Sequence, residues 1–298
     1  MFLHLQLKYL KGVDQLTIEN NKYLFKIYYL GRAKYYGSQR QSSFLTVEDC
    51  ILKALVKRNY IHNIKLSGFE AASRTDRFVS ARGACFTVIL EKKPVLMEIN
   101  SALPNEMGIW AYTKVPLDFN SRHNAILRHY VYLVPKPLSH LQKTSPINVE
   151  IMQKACKYLK GQHDFSNFFK RDKNDKNPIR DMKSVQLSIE NDFLIFQFKS
   201  KAFLRQQVRR MVKKILEVGM GEITYDDFIQ LFDPQKNFSY QPSDPRGLIL
   251  WDVIYDEKIK LDEDVKSKRR MENFFLKKKI SYDFKNQLFY LLQHHDFS

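Results

Sequence analysis

The sequence lacks the features of membrane and secreted proteins. Its mean hydropathy is −0.42 over 298 residues, and no apolar run reaches the roughly 18 residues that a membrane span needs. Residues 1–12 have neither a continuous apolar segment nor a small-residue cleavage site, which predicts that there is no secretory signal. We therefore expect a cytoplasmic protein with no membrane partner.

Cysteine is also scarce, and the residues of a metal or nucleotide-cofactor site are missing. The three cysteines, Cys50, Cys85 and Cys156, are far apart and odd in number, which favours reduced core thiols over disulfides or metal ligands. No histidine or cysteine cluster has metal-ligand spacing. Gly219 and Gly221 have no strand before them and no third glycine after them, so they do not form a dinucleotide-binding loop. The sequence predicts neither a metal nor a cofactor.

Acidic residues are outnumbered by basic ones. The chain has 32 Asp and Glu against 49 Lys and Arg, a net charge of +17, and 13% of its residues are aromatic. A basic, aromatic-rich chain is suited to nucleic acid, although charge alone leaves affinity for a membrane surface or a general lysine bias open. The length and the 44% hydrophobic content predict two compact units.

The pattern from residue 23 to residue 126 predicts the order β-α-β-β-α-β. Thr46 and Asp49 have the spacing of a capping box, and Val47, Ile51 and Leu55 repeat at helical spacing. Strands are predicted at residues 23–30, 61–66, 83–91 and 109–115, and a second helix at residues 94–103.

The pattern from residue 127 to residue 256 repeats this order. The first predicted elements are a strand at residues 128–134, a helix capped by Asn148 and a hairpin that turns at Asn191 and Asp192. A helix follows, with an apolar stripe formed by Leu204, Val208, Val212 and Leu216. A short helix capped by Thr224 and a strand at residues 248–255 complete the order. Two such units predict an α/β (α+β) fold with two ferredoxin-like halves around a mixed, mainly antiparallel sheet, helices outside.

The two ends of the chain differ from these halves. Residues 1–22 are interpreted as an N-terminal extension, and residues 257–298 as a basic, aromatic tail. Lys266, Lys268, Arg269 and Arg270 form one basic cluster, and Lys277, Lys278 and Lys279 another. The tail fits a solvated helical face, with an RNA-contacting arm as the alternative. Its aromatic residues, Phe274, Phe275, Tyr282, Phe284, Phe289 and Tyr290, are interpreted as tail packing.

One polar segment between two predicted strands carries a candidate carboxylate. In the sequence Ser-Arg-Thr-Asp-Arg, Arg74 and Arg77 flank Asp76. Cationic neighbours stabilise the ionised form of a carboxylate, which suits a nucleophile or a base. Taken alone, a segment of this kind is most often an ordinary charged turn.

Several motifs, in order, resemble the tRNA pseudouridine synthase A (TruA) family. Residues 73–83, SRTDRFVSARG, are similar to its catalytic loop, with serines at positions 73 and 80 that are typical of archaeal and eukaryotic forms. Further similar motifs are YGSQRQ at residues 36–41, the N-x-x-L-P element at residues 100–104, RHYVY at residues 128–132, GQHDF at residues 161–165, and Val208-Arg209. The resemblance spans residues 23 to 256.

The resemblance implies an isomerase that converts uridine to pseudouridine in the anticodon stem-loop of tRNA, at tRNA positions 38 to 40, without a cofactor and as a homodimer. It implies that Asp76 is the catalytic aspartate, that Tyr130 packs against the uracil and that Arg209 pairs with Asp76. Arg74 corresponds to the arginine that turns out the base. Arg77, Gln39, Arg40 and Arg128 are the further candidate substrate contacts.

Two departures from the family pattern and two alternative functions remain. A glycine of the family loop is replaced by Phe78, which we expect to adopt an ordinary backbone geometry. A tryptophan often found in the first loop is replaced by Ser38, which we expect to matter little. The alternatives are a pseudouridine synthase with other RNA targets and a catalytically silent RNA-binding module.

Overall fold

Local signals in the first half of the chain produce most of the elements that they predict. The computed structural model describes residues 21–171 and 177–294. Thr46 and Asp49 form the expected capping box, each side chain accepting from the other residue's backbone N–H. The elements are β1 (Asn21–Tyr29), α1 (Val47–Lys57), β2 (Glu70–Ala71), β3 (Ser80–Leu90), α2 (Leu96–Asn100) and β4 (Met107–Val115). The predicted N-terminal extension and the predicted absence of a secretory signal concern residues outside the described ranges, except that Asn21 and Lys22 begin β1.

Caps and turns also define the second half. The Asn148 side chain accepts from the Ile151 N–H, and the hairpin turn has positive φ at Asn191 (49°) and Asp192 (66°), as a tight two-residue turn requires. The elements are β5 (Leu127–Leu133), α3 (Leu138–Gln142), α4 (Val149–Leu159), β6 (Gly161–Asp164), β7 (Ile179–Glu190), β8 (Phe193–Ser200), α5 (Gln207–Gly219), α6 (Tyr225–Gln230) and β9 (Leu248–Ile254).

The strands form one mixed sheet whose order confirms the predicted fold class. The order is β10-β4-β1-β3-β9-β5-β8-β7-β6, where β10 is Asp262–Glu263, and β2 pairs with β3. The order β4-β1-β3-β2 in one half and β9-β5-β8-β7 in the other is that of two ferredoxin-like units. All pairs are antiparallel except β3 with β9, which joins the halves at Ser80 and Ala81.

Two sequence predictions about local structure were wrong, and one motif for which no structure was predicted contains a strand. Residues 61–66 are a turn, because the Asn63 side chain accepts from the Lys65 N–H and the Leu66 N–H bonds back to the Asn63 carbonyl. The segment GQHDF begins with an edge strand, β6, paired with β7. The helix α5 begins only at Gln207, and its buried apolar side chains are Val208, Met211, Val212, Ile215 and Val218, so the predicted stripe was misplaced.

The last helix, α7 (Val265–His294), covers the sheet only with its first turns. Ser267 and Met271 are buried, Met271 packs against Tyr28 and Trp110, and the Arg270 guanidinium donates to the Tyr28 hydroxyl at 2.7 Å. Tyr282, Phe284, Phe289 and Tyr290 are 52–68% exposed. The expectation of aromatic tail packing is therefore wrong for these four and right for Phe274 and Phe275, which contact the Tyr28 ring. Of the helices within the described ranges, none has the length and apolar character of a membrane span.

Candidate active site

The loop between β2 and β3 holds Asp76 at the first position of a tight turn. The Val79 N–H donates to the Asp76 carbonyl at 3.2 Å, and Phe78, the third residue of the turn, has φ of 69°. This positive φ is what a glycine would supply at the third position of a type II turn. Phe78 therefore adopts a backbone conformation that glycine takes without steric cost, and the expectation of an ordinary geometry was wrong.

Two contacts hold Phe78 in this conformation. Its carbonyl lies so close to Gly31 that a Cβ there would overlap it, and the Arg77 guanidinium lies 4.9 Å from the centre of its ring. For a residue with a Cβ, the left-handed region costs about 1–2 kcal/mol. The surrounding structure therefore offsets this strain and fixes the turn that presents Asp76.

A second segment, residues 36–38, clamps the loop from one side. The Thr75 N–H donates to the Ser38 hydroxyl at 2.8 Å, and the Ser38 N–H donates to the Thr75 carbonyl at 3.0 Å. Gly37, with φ of 95°, lies where a Cβ would meet that carbonyl at 2.8 Å. The Tyr29 and Thr75 hydroxyls are 2.8 Å apart. The serine that replaces the family tryptophan therefore has a defined role in fixing the loop, which no sequence pattern indicated.

Arg209 reaches the loop from α5, in the other half of the chain. Its Nη1 donates to Asp76 Oδ2 at 2.9 Å and its Nε donates to the Ser243 carbonyl at 2.7 Å. The Arg209 side chain is only 9% exposed, whereas that of Asp76 is 40% exposed. The arginine is thus a fixed, buried partner that leaves one side of the carboxylate open to a substrate.

Tyr130 lies beside this pair on β5. The residue is 7% exposed, and its ring meets that of Phe203 edge-on, with ring centres 5.1 Å apart. Burial raises the pKa of Tyr130 to about 12, and the Asp76 charge adds to this, while Arg128 and a hydrogen bond with Ser73 oppose it. The phenol is therefore neutral at physiological pH.

Arg128 is placed differently from the expectation of a substrate contact. Its side chain is buried and donates to the Ser73 hydroxyl and to the carbonyls of Ala72, Arg122 and Lys201. These bonds use the guanidinium from Nε to both terminal nitrogens. Arg128 therefore ties the start of the Asp76 loop to the segment that leads into α5, and its role is positioning.

The other candidate contacts lie nearer to the surface. Arg74 and Gln39 are exposed and make no hydrogen bond or ion pair with other described residues. Arg40 is half exposed and pairs with Asp49 at 3.2 Å. Arg77 donates to the Ala33 carbonyl and lies over the Tyr36 ring at 4.0 Å. Of these four, Arg74 and Gln39 are free to meet a ligand, while Arg77 connects the Asp76 loop to the first loop.

Comparisons with known proteins identify the family of the chain. A family model described as tRNA pseudouridine synthase matches residues 155–256. The protein named tRNA pseudouridine synthase A from Methanothermobacter thermautotrophicus is 35% identical over 82% of this chain and 84% of its own length. The protein of the same name from Methanosphaera stadtmanae is 32% identical over 85% of this chain and 90% of its own length. That from Archaeoglobus fulgidus is 35% identical over 79% of this chain and 84% of its own length. The chain therefore belongs to the tRNA pseudouridine synthase A family, in its archaeal-like form.

Proposed function

We propose that the protein isomerises uridine to pseudouridine in tRNA and that Asp76 is its catalytic carboxylate. Its family membership makes the chain an isomerase that acts on tRNA. The observation that carries the role of Asp76 is its pairing with a buried arginine on one side and its 40% exposure on the other. A carboxylate held in this way is oriented but accessible, as a reacting group must be.

The reaction breaks the C1′–N1 bond, rotates the uracil and forms a C1′–C5 bond. Asp76 can attack C1′ or take a proton from C2′, and its position serves both. Arg209 orients the carboxylate, and Tyr130, a neutral aromatic beside it, packs against the uracil. Because the residues of the chain supply an acid-base group and its partner, the proposal includes no metal or cofactor.

The target uridine must leave its base stack to reach Asp76. Extrusion of a base costs a few kcal/mol, which contacts to the turned-out base and to phosphates offset. We assign the first role to exposed Arg74, and backbone contacts to Gln39 and Arg40. Arg77, which bridges the two loops, supports their shape. The net charge of +17 favours the approach of the polyanion.

The proposed target is the anticodon stem-loop, at tRNA positions 38 to 40, and a synthase with other target positions is the alternative. The replacement of the family's glycine by Phe78 gives little support to a catalytically silent module, because Phe78 has a positive φ of 69°, which glycine adopts freely. We retain residues 23–126 and 127–256 as the two halves, and a cytoplasmic location, which suits the free, buried cysteines Cys50, Cys85 and Cys156.

The homodimer is a further part of the proposal, and a half-exposed sheet face supports it. On β5, β8 and β9 the side chains of Val131, Ile195, Ile249, Trp251 and Ile254 are half-buried or exposed. An apolar sheet face of this kind is typical of an interaction surface. Sedimentation velocity at micromolar concentration should give twice the mass of one chain, and a monomer would remove this part.

Incubation of the purified protein with unmodified tRNA transcripts, followed by mapping of pseudouridine, tests the main proposal. We expect modification at positions 38 to 40 that persists after EDTA treatment once tRNA folding is controlled for. Modification elsewhere would select the alternative target, and no modification in any tRNA tested would refute the activity.

A further inference from the structure

Three side chains form a stack next to the Asp76 loop. The Arg77 guanidinium lies 4.0 Å from the centre of the Tyr36 ring, and the Phe44 ring lies 4.1 Å from the same centre at an interplanar angle of 16°. At these distances both groups cannot share one face of Tyr36, so they lie on opposite faces. Because Arg77 follows Asp76 in the chain, the stack of the Arg77 guanidinium on the Tyr36 ring connects Phe44 to the Asp76 loop.

The outer face of Phe44 is open. The residue is 47% exposed although Tyr36 covers one of its faces. It lines an open pocket of about 600 Å³, a size within the range of small-ligand sites. The other lining residues are Arg40, Gln41, Ser42, Ser43, Leu45, Asp49 and Lys53. An exposed aromatic face at the wall of a polar pocket is a stacking surface without a stacking partner.

The charges of this pocket favour an anionic ligand. Arg40 and Asp49 form an ion pair at 3.2 Å, so their charges offset each other. Lys53 is exposed and forms no ion pair with any residue in the described ranges. The pocket therefore combines a flat aromatic wall, serine hydroxyls and one uncompensated cation, which are the groups that bind a nucleotide through its base and phosphate.

We propose that this pocket is a second nucleotide subsite, in which Phe44 stacks on a base of the RNA substrate other than the target uridine and Lys53 contacts its phosphate. The inference rests on the proposed function, since it places part of the same tRNA. A base held here is rigidly registered to Asp76 through Tyr36 and Arg77. The subsite therefore adds affinity for the RNA strand beside the Asp76 loop without touching the reacting atoms.

Substitutions of Phe44 test the subsite with an unmodified tRNA transcript as the probe. Base–aromatic stacking contributes about 1–3 kcal/mol, so Phe44→Ala should raise the Kd for tRNA roughly 5- to 150-fold. The single-turnover rate at saturating tRNA should change little. Phe44→Trp should retain the affinity, and Phe44→Leu, which keeps apolar bulk without a π face, should not. Leu66→Ala, at a 77% exposed position in the same half, is the matched control.

Fluorescence separates stacking from support of the loop. Phe44→Trp adds a tryptophan to the native Trp110 and Trp251, and its emission is obtained by subtracting the emission of the wild type. This emission should be quenched by tRNA. The emission of the tryptophan introduced by Leu66→Trp should not be quenched. Lys53→Gln should lower the slope of log Kd against log salt by about 0.7–0.9. A merely structural Phe44 would instead lower the single-turnover rate and the melting temperature, with Phe44→Leu restoring both.

Three outcomes would overturn the inference: Phe44→Ala binds tRNA within twofold of the wild type, Phe44→Leu is as good as Phe44→Trp, or the emission of the Phe44→Trp variant does not respond to tRNA. These outcomes differ from failure of the proposed function. In that case the wild type itself forms no pseudouridine, while the binding and fluorescence titrations still decide whether the pocket holds RNA.

Discussion

Replacement of Arg209 by alanine tests the pairing that joins the two halves of the active site. The substitution removes the hydrogen bond to Asp76 Oδ2 and the bond to the Ser243 carbonyl. The Ser243 bond is buried, and a buried bond from a charged group contributes about 1.5–3 kcal/mol. The Asp76 end is 40% exposed, so it contributes nearer to ~1 kcal/mol. We expect a loss of about 2.5–4 kcal/mol in the free energy of unfolding.

Arg209→Ala should also lower the rate of the reaction, and this is the more informative effect. Without Arg209 the carboxylate of Asp76 loses its only side-chain partner in the described part of the chain. A reacting group displaced by about 1 Å can lose roughly 100-fold in rate. We therefore expect the single-turnover rate of Arg209→Ala at saturating tRNA to fall by about that factor, and Arg209→Ala added to Asp76→Ala to cause no further loss.

The competing explanation is that Arg209 binds phosphate. It predicts a weaker tRNA affinity and a lower salt slope, with a normal single-turnover rate. Lys213→Ala is the matched control, because it removes one positive charge from the same helix at a 39% exposed position that pairs with Glu217 and not with Asp76. If Arg209→Ala reacts within threefold of the wild type once bound, and behaves like Lys213→Ala in affinity, the pairing argument is refuted.

Four further predictions concern the same structure. Asp76→Ala should abolish pseudouridine formation in a tritium-release assay while tRNA affinity stays the same or rises, and near-wild-type turnover would exclude Asp76. The free energy of unfolding of Phe78→Gly should exceed that of Phe78→Ala by about 1 kcal/mol, because both variants lose the ring and only alanine retains the strain of positive φ. Equal stability of the two variants in urea titrations would contradict this. Truncation after Leu276 should leave the melting temperature nearly unchanged. Truncation before Asp264 exposes Tyr28 and Trp110, so it should lower the melting temperature clearly. Equal losses in the two truncated proteins would show that the exposed turns of α7 also stabilise the fold. Burial raises the pKa of Tyr130 and Tyr132 from 10.0 to about 12. Their neutral forms therefore stabilise the fold fully below about pH 10, and this contribution is lost as the pH rises towards 12. Tyr130→Phe should reduce this alkaline decline in melting temperature.

The sequence by itself determined the helix caps and the hairpin turn. The capping boxes at Thr46 and Thr224, the cap at Asn148 and the turn at Asn191 and Asp192 all lie where they were predicted. Their partners are within three residues, so the chain needs no tertiary context to form them. Alternating burial along β5 and β8 follows from the period of a strand in the same way.

Only the tertiary structure decided how the candidate site is assembled. The resemblance predicted that Arg209 meets Asp76, but the role of Ser38, the four bonds of Arg128 and the positive φ of Phe78 had no sequence signal. Thr75 and Ser38 are 37 residues apart, and Asp76 and Arg209 are 133 apart. The first contact depends on packing within the first half, and the second depends on how the two halves join at β3 and β9. A strained backbone persists only where its surroundings enforce it. Periodicity and propensity carry information about near neighbours alone, so these features follow from packing and not from the local sequence.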